Sequence, residues 1–209
     1  MASGRKTCFV IAPIGAEKSE VRIRSDQILK YVIAPAAREC GYEAIRADQI
    51  SEPGIITSQV IQHIIDDPLV IADLTGHNPN VFYELALRHA LKKPVVQIIH
   101  AEDSIPFDVA TSRMIKVDHR DLDSAAQAKD EIVKQIRSVE MNSMDVDTPI
   151  STAIELQLLR QSDNPIEKSN GEILTMLQEL TKTVSELGNN LSRRIINIEH
   201  LVSVGLPNL

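Results

Sequence analysis

Asp73 and Glu84 bracket a segment that begins Leu74-Thr75-Gly76-His77-Asn78-Pro79-Asn80, the stretch of this 209-residue chain richest in groups able to act on a ligand. Asp73 closes the apolar run Leu69 to Ala72, so its carboxylate is expected to face a cleft at a strand end rather than the core. Asn78 is a natural N-cap and Pro79 a natural first-turn residue, which places a helix start there. Glu84 then falls within the first two turns, where the helix dipole favours an ionised carboxylate. On a helical wheel Val81, Phe82, Leu85, Ala86 and Ala90 form a buried arc, with Glu84 at its margin beside Val81. Two carboxylates placed at a strand end and early in the next helix suit a glycosidic centre. One attacks or stabilises a developing oxocarbenium ion, and the other manages protons or holds sugar hydroxyls. The competing assignment for Glu84 is an exposed i,i+4 ion pair with Arg88. His89 falls in the middle of the arc and reads as a core histidine. His77 lies in the loop itself, where it can meet a ligand together with Asn78 and Asn80.

Three further loops are rich in polar or turn residues: Pro13 to Ser19, leading to Arg22, Arg24 and Asp26; Asp48 to Gly54; and His100 to Asp108. The first holds a single glycine, Gly15, and matches neither a P-loop nor GxGxxG. A phosphate can still rest on backbone N–H groups at the helix start that follows, with Arg22 or Arg24 adding charge-assisted hydrogen bonds. The alternative leaves both arginines solvating the helix exterior. The candidate set is therefore Glu84 and Asp73 for catalysis, and Pro13, Gly15, Arg24, Asp48, His77, Asn78 and Asn80 for substrate binding. This chemistry calls for no metal and no cofactor. Cys8 and Cys40 form no CxxC and no zinc spacing, and read as two small buried hydrophobes.

The elements that must hold these loops alternate in type. Thr7 to Ala12 is a near-continuous apolar run, as a parallel strand buried on both faces requires. Val21 to Cys40 is a helix that Pro35 can kink and Gly41 stops. Tyr42–Ala47, Leu69–Ala72, Val95–Ile99 and Met114–Val117 are further strands, and Ile55–Asp66, Pro79–Leu91 and Leu122–Val139 further helices. This order predicts an α/β fold: a flavodoxin-like, doubly wound, five-stranded parallel sheet of order 2-1-3-4-5. In such a sheet ligands bind beyond the carboxyl ends of the strands, where all four loops gather.

The α/β domain is expected to span 1–140. A linker with a short helical patch, 141–171, and a C-terminal amphipathic helix, 172–209, are expected to follow. In that helix Ile173, Leu177, Leu180, Val184, Leu187 and Leu191 alternate steps of four and three, a heptad seam that suits a coiled coil and a homo-oligomer, the alternative being a single amphipathic helix packed on its own domain.

Composition excludes several function classes. Hydrophobic residues make up 43%, enough for a core, and the net charge of -7 argues against a broad nucleic-acid footprint. Aromatics are 3% with no Trp, too few for a single-strand stacking platform. No apolar run approaches a membrane span and no signal core opens the chain, so a cytoplasmic protein with a small-molecule partner is expected.

Phe9-Val10-Ile11-Ala12-Pro13-Ile14-Gly15, taken with Ala72 to Leu85, resembles the nucleoside 2-deoxyribosyltransferase-like superfamily, which includes the 2′-deoxynucleoside 5′-phosphate N-hydrolases and is structurally close to Toll/interleukin-receptor domains. The resemblance covers residues 7 to about 118. It implies scission of an N-glycosidic bond in a nucleoside, nucleotide or NAD-like molecule, with the Glu of Tyr83-Glu84-Leu85 as nucleophile. It also extends to effectors of bacterial nucleotide-linked defence. In the hydrolases an Asp in the helix before the third strand assists catalysis; the matching position here is Val60, between Gln59 and Gln62. The runner-up function is a non-catalytic nucleotide sensor that signals or assembles through the C-terminal helix.

Overall fold

A computed structural model describes residues 5–50, 53–106, 109–110 and 112–141, with scattered positions from 148 to 183. The chain divides into two compact units, Met1–Thr152 and Ala153–Leu209. The first unit alternates strands and helices: β1 (Lys6–Ile11), α1 (Glu20–Ile28), a π-helical segment (Leu29–Ile33), α2 (Ala34–Glu39), β2 (Tyr42–Arg46), α3 (Ile56–Asp66), β3 (Leu69–Asp73), α4 (Pro79–Ala90), β4 (Val95–His100), β5 (Met114–Val117) and α5 (Leu122–Met141). All strand pairs are parallel and the order is β2-β1-β3-β4-β5. This is the predicted topology, with element ends within two residues of the expected ones.

Strand alternation divides the apolar side chains between two cores. Cys8, Val10, Ile71, Val96, Ile98, Ile115 and Val117 face one side and pack with Ile28, Val32, Ala36, Ile132 and Ile136. Phe9, Ile11, Val70, Ala72 and Ile99 face the other and pack with Val60, Ile64, Val81 and Leu85. Each fully buried Ile or Val contributes about 1.5–3 kcal/mol, so the central strands are the most firmly held part of the fold. Cys8 is fully buried, and burial raises its thiol pKa well above the usual range. Cys40 is half-buried.

The expected kink at Pro35 takes a specific form. Pro35 has no N–H, and its ring would crowd the Tyr31 carbonyl in a regular helix. The preceding turn widens instead, and the Ala34 N–H donates to the Leu29 carbonyl, an i to i−5 bond. Val32, Ile33, Ala36 and Ala37 all remain buried across the wide turn.

The seam positions Ile173 and Leu180 are exposed; Leu177, Val184, Leu187 and Leu191 lie outside the described residues. No helix among the described residues is long and apolar enough to cross a membrane.

Candidate active site

The strand register brings the carboxyl ends of β1, β3 and β4 to one edge, with Ile11 beside Ala72 and Asp73 beside Ile98. Asp73 is fully buried there. Its carboxylate does not face an open cleft, as the sequence suggested, but accepts from Arg24 through Nη1 at 2.7 Å and Nη2 at 3.2 Å. It also accepts the Thr75 amide at 3.1 Å. Arg24 reaches it from α1, with its side chain only 11% exposed. Thr75 ties this pair to the neighbouring strand, because its Oγ1 accepts from Arg24 Nη2 at 2.5 Å and from the His100 amide at 2.9 Å. The expected phosphate ligand Arg24 and the expected sugar ligand Asp73 thus engage each other.

Glu84 is in the opposite situation. It is half-buried in the second turn of α4, and among the described residues its carboxylate has no hydrogen bond or ion pair. Burial without a compensating partner raises its pKa to about 7. The competing ion pair with Arg88 does not form. Arg88 is fully buried and donates instead to the Ile64 carbonyl at 2.6 Å and the Pro94 carbonyl at 3.1 Å. It thereby satisfies a carbonyl near the end of α3 and adds a second donor to the Pro94 carbonyl just before β4, which also accepts the Val70 amide. His89 is buried, as its place on the arc required, and its carbonyl accepts from Thr148. Val60 is buried in the α3–α4 core.

The remaining candidates are held by local structure. Asn78 is the N-cap of α4 and accepts from the Asn80 amide at 2.9 Å. Asn80 is exposed. His77 has a positive φ of 53°, and its Nε2 donates to the Ser104 carbonyl at 2.8 Å. With Gly76 N–H donating to Asp103 at 2.8 Å, this ties the loop after β3 to the loop after β4. Asp48 sits in a charge network rather than alone: Arg22 Nη2 lies at 2.7 Å, and Arg46 Nε and Nη2 at 2.6 and 2.9 Å. The hydrogen bonds from Arg46 hold its carboxyl below the usual range, and Asp26 is held low in the same way. Arg46, nearly fully buried at the end of β2, also donates to Ser25 Oγ at 2.7 Å.

Pro13 is buried and Gly15 exposed, at the turn before Ser19, which caps α1 by accepting the Arg22 amide at 3.1 Å. Gly15 has φ +67°, and a Cβ there would lie 2.8 Å from Ser19 Oγ and 2.9 Å from Val21 Cβ. Gly15→Ala is therefore expected to lower stability by about 1–3 kcal/mol and to displace the turn. Thermal unfolding checks the first effect, and hydrogen exchange at the Arg22 amide the second.

Two groups escaped the sequence reading. Arg46 lies within the predicted strand Tyr42–Ala47 and is not among the candidate residues. His100, Asp118 and His119 converge at the ends of β4 and β5, where His100 pairs in register with Val117, the residue before Asp118. Burial, and then the nearby Arg24 charge, lower the His119 pKa. The depressions along β5 and α5, lined by Arg113, Lys116, Glu131 and Lys134 among others, include neither Glu84 nor Asp73.

No family model and no curated protein matches the chain. Solved structures similar in shape include a 2-deoxyribosyltransferase from Bacillus psychrosaccharolyticus (15% identity, TM-score 0.42, 56% of this chain and 89% of that one). They also include a CMP N-glycosidase from Clostridium botulinum (18%, 0.38, 60% and 99%). A third is the constitutive lysine decarboxylase of E. coli (14%, 0.41, 77% and 20%). At such overlap, function has to be argued from the residues.

Proposed function

We propose that the first unit is an enzyme that breaks the N-glycosidic bond of a nucleoside, nucleotide or NAD-like molecule, by hydrolysis or transfer. The observation that carries this reading is Glu84: a carboxylate with no partner among the described residues, half-buried in the helix that follows the β3 loop. In its ionised form Glu84 attacks the anomeric carbon or stabilises the oxocarbenium ion as the C–N bond breaks. The bond's electron pair leaves with the base, which takes up a proton. Water, or an acceptor base, then bonds to the anomeric carbon and frees Glu84.

Asp73 and Arg24 act as positioning residues, because their mutual hydrogen bonds fix the loop after β3 against α1 and, through Thr75, against β4. His77 is held by Ser104, so its ring is fixed before a ligand arrives. The Gly15 turn and the start of α1 supply backbone amides for a phosphate.

Incubation with a panel of deoxynucleotides and NAD, followed by chromatography, tests the reading. Release of free base is the expected result. Saturable binding with no release from any member would replace it with the sensor reading.

We propose further that the C-terminal segment assembles copies of the chain through its heptad seam. Removing residues after Thr152 is expected to lower the oligomeric state seen by light scattering while leaving a folded first unit. Equal subunit number for both proteins would refute the assembly.

A further inference from the structure

We propose that His100, Asp118 and His119 form a binding site for one divalent first-row cation, with zinc as the reference ion. The site stands apart from the glycosidic reading and does not depend on it.

The sheet itself assembles the three ligands. β4 ends at His100 and β5 at Val117, and these two residues are register partners, so Asp118 and His119 leave the sheet beside the His100 ring. His100 Nε2 lies 3.8 Å and His119 Nδ1 3.7 Å from Asp118 Oδ1, and one ligand atom from each residue lies within 4.8 Å of the others. Both distances are too long for hydrogen bonds. They are a few tenths of an ångström longer than the roughly 3.3 Å separation of two ligands around a tetrahedral ion with bonds of about 2.0–2.1 Å. The rings therefore stand close to metal spacing around one carboxylate oxygen without bonding to it.

A second observation points the same way. His119 Nδ1 is buried and has no hydrogen-bond partner among the described residues. A buried polar nitrogen left unpaired is costly, and a cation at the centre of the cluster would satisfy it. Two imidazoles and one carboxylate suit zinc and its first-row neighbours, and three protein ligands leave a coordination position open. Arg24 lies close enough to influence His119, but its charge is balanced by Asp73. His100 must carry its proton on Nδ1 to bind through Nε2, so the long 3.3 Å contact from the Glu102 amide to Nδ1 would be given up. An ion here would join the ends of β4 and β5 beside Thr75, whose hydroxyl accepts the His100 amide.

The test uses the full chain stripped with a chelator and titrated with zinc chloride by calorimetry, with cobalt(II) as a spectroscopic substitute. The expected result is saturable one-to-one binding, visible cobalt d–d bands, and a melting temperature that rises with zinc concentration. Asp118→Asn and His119→Ala should each weaken binding by about tenfold or more and abolish the cobalt bands. Asp118→Asn preserves shape, and far-UV circular dichroism verifies that each variant is folded. No saturable binding by the parent protein, or unchanged affinity in folded Asp118→Asn, would overturn the site.

Discussion

Glu84→Gln is expected to lower base release on the order of 10³-fold or more while leaving ligand affinity near that of the parent. The amide keeps the size of the side chain but loses its charge and most of its nucleophilicity. Two pH measurements sharpen the test. The working form is the ionised carboxylate, so the parent's rate should rise as pH increases through about 7 and level off above it. A rate that falls above 7 would make Glu84 a general acid instead.

Stability should run the other way. The folded state holds the Glu84 proton more tightly than the unfolded chain, whose carboxyl titrates near 4.3. The parent therefore loses stability as pH rises from about 4.5 to 7 and stays lower above that range. Glu84→Gln lacks this loss and should melt higher than the parent at pH 8, with the difference disappearing near pH 4. A variant that is more stable and far less active is the signature of a carboxylate held for chemistry. Full base release by purified Glu84→Gln would remove the residue from the mechanism.

The second large effect is on the fold. Arg24→Ala leaves the buried Asp73 carboxylate without its bidentate partner, at a cost of about 3–5 kcal/mol. For a chain of this size that corresponds to a fall in melting temperature of roughly 6–20 °C. Adding Asp73→Asn to Arg24→Ala should recover part of the loss, because the stranded charge disappears. Ligand affinity should drop for a nucleoside and its phosphate alike, since both terminal nitrogens of the guanidinium face Asp73. A selective loss for the phosphate would mean that Arg24 leaves Asp73 to meet the ligand. An unchanged melting temperature would show that the pair contributes nothing net.

The sheet was readable in advance because parallel strands covered on both faces are continuous apolar runs. Thr7 to Ala12 and Leu69 to Ala72 leave few other options, and helical spacings between them force right-handed crossovers. The α4 start was readable because Asn78 and Pro79 are chemically suited to a cap and a first turn. Side-chain partners were harder to read. Asp73 and Arg24 are 49 residues apart in sequence, and nothing local says that α1 will aim Arg24 at the end of β3. Arg88 looked like a partner for Glu84 because the two are one turn apart. What sequence periodicity could not weigh was the pull of the Ile64 and Pro94 carbonyls on a guanidinium already turned inward. The His100, Asp118 and His119 cluster depends on the β4–β5 register, and a slip of one residue would separate it.

The wide turn at Leu29–Ile33 acts as a rotational offset between two half-helices. An α-helix advances about 100° per residue, so one extra residue in a turn changes the angular phase of everything on its far side. Ala36 and Ala37, beyond the turn, lie against the sheet, and Arg24, before it, points at Asp73. Deleting one residue from the turn, such as exposed Lys30, would let the helix run regularly only by rotating one half against the other. With the apolar half anchored in the core, the rotation falls on the half that carries Ser19, Arg22 and Arg24. The sequence of α1 fixes which side chains exist near the strand ends, while this single irregular turn sets the compass bearing on which they face.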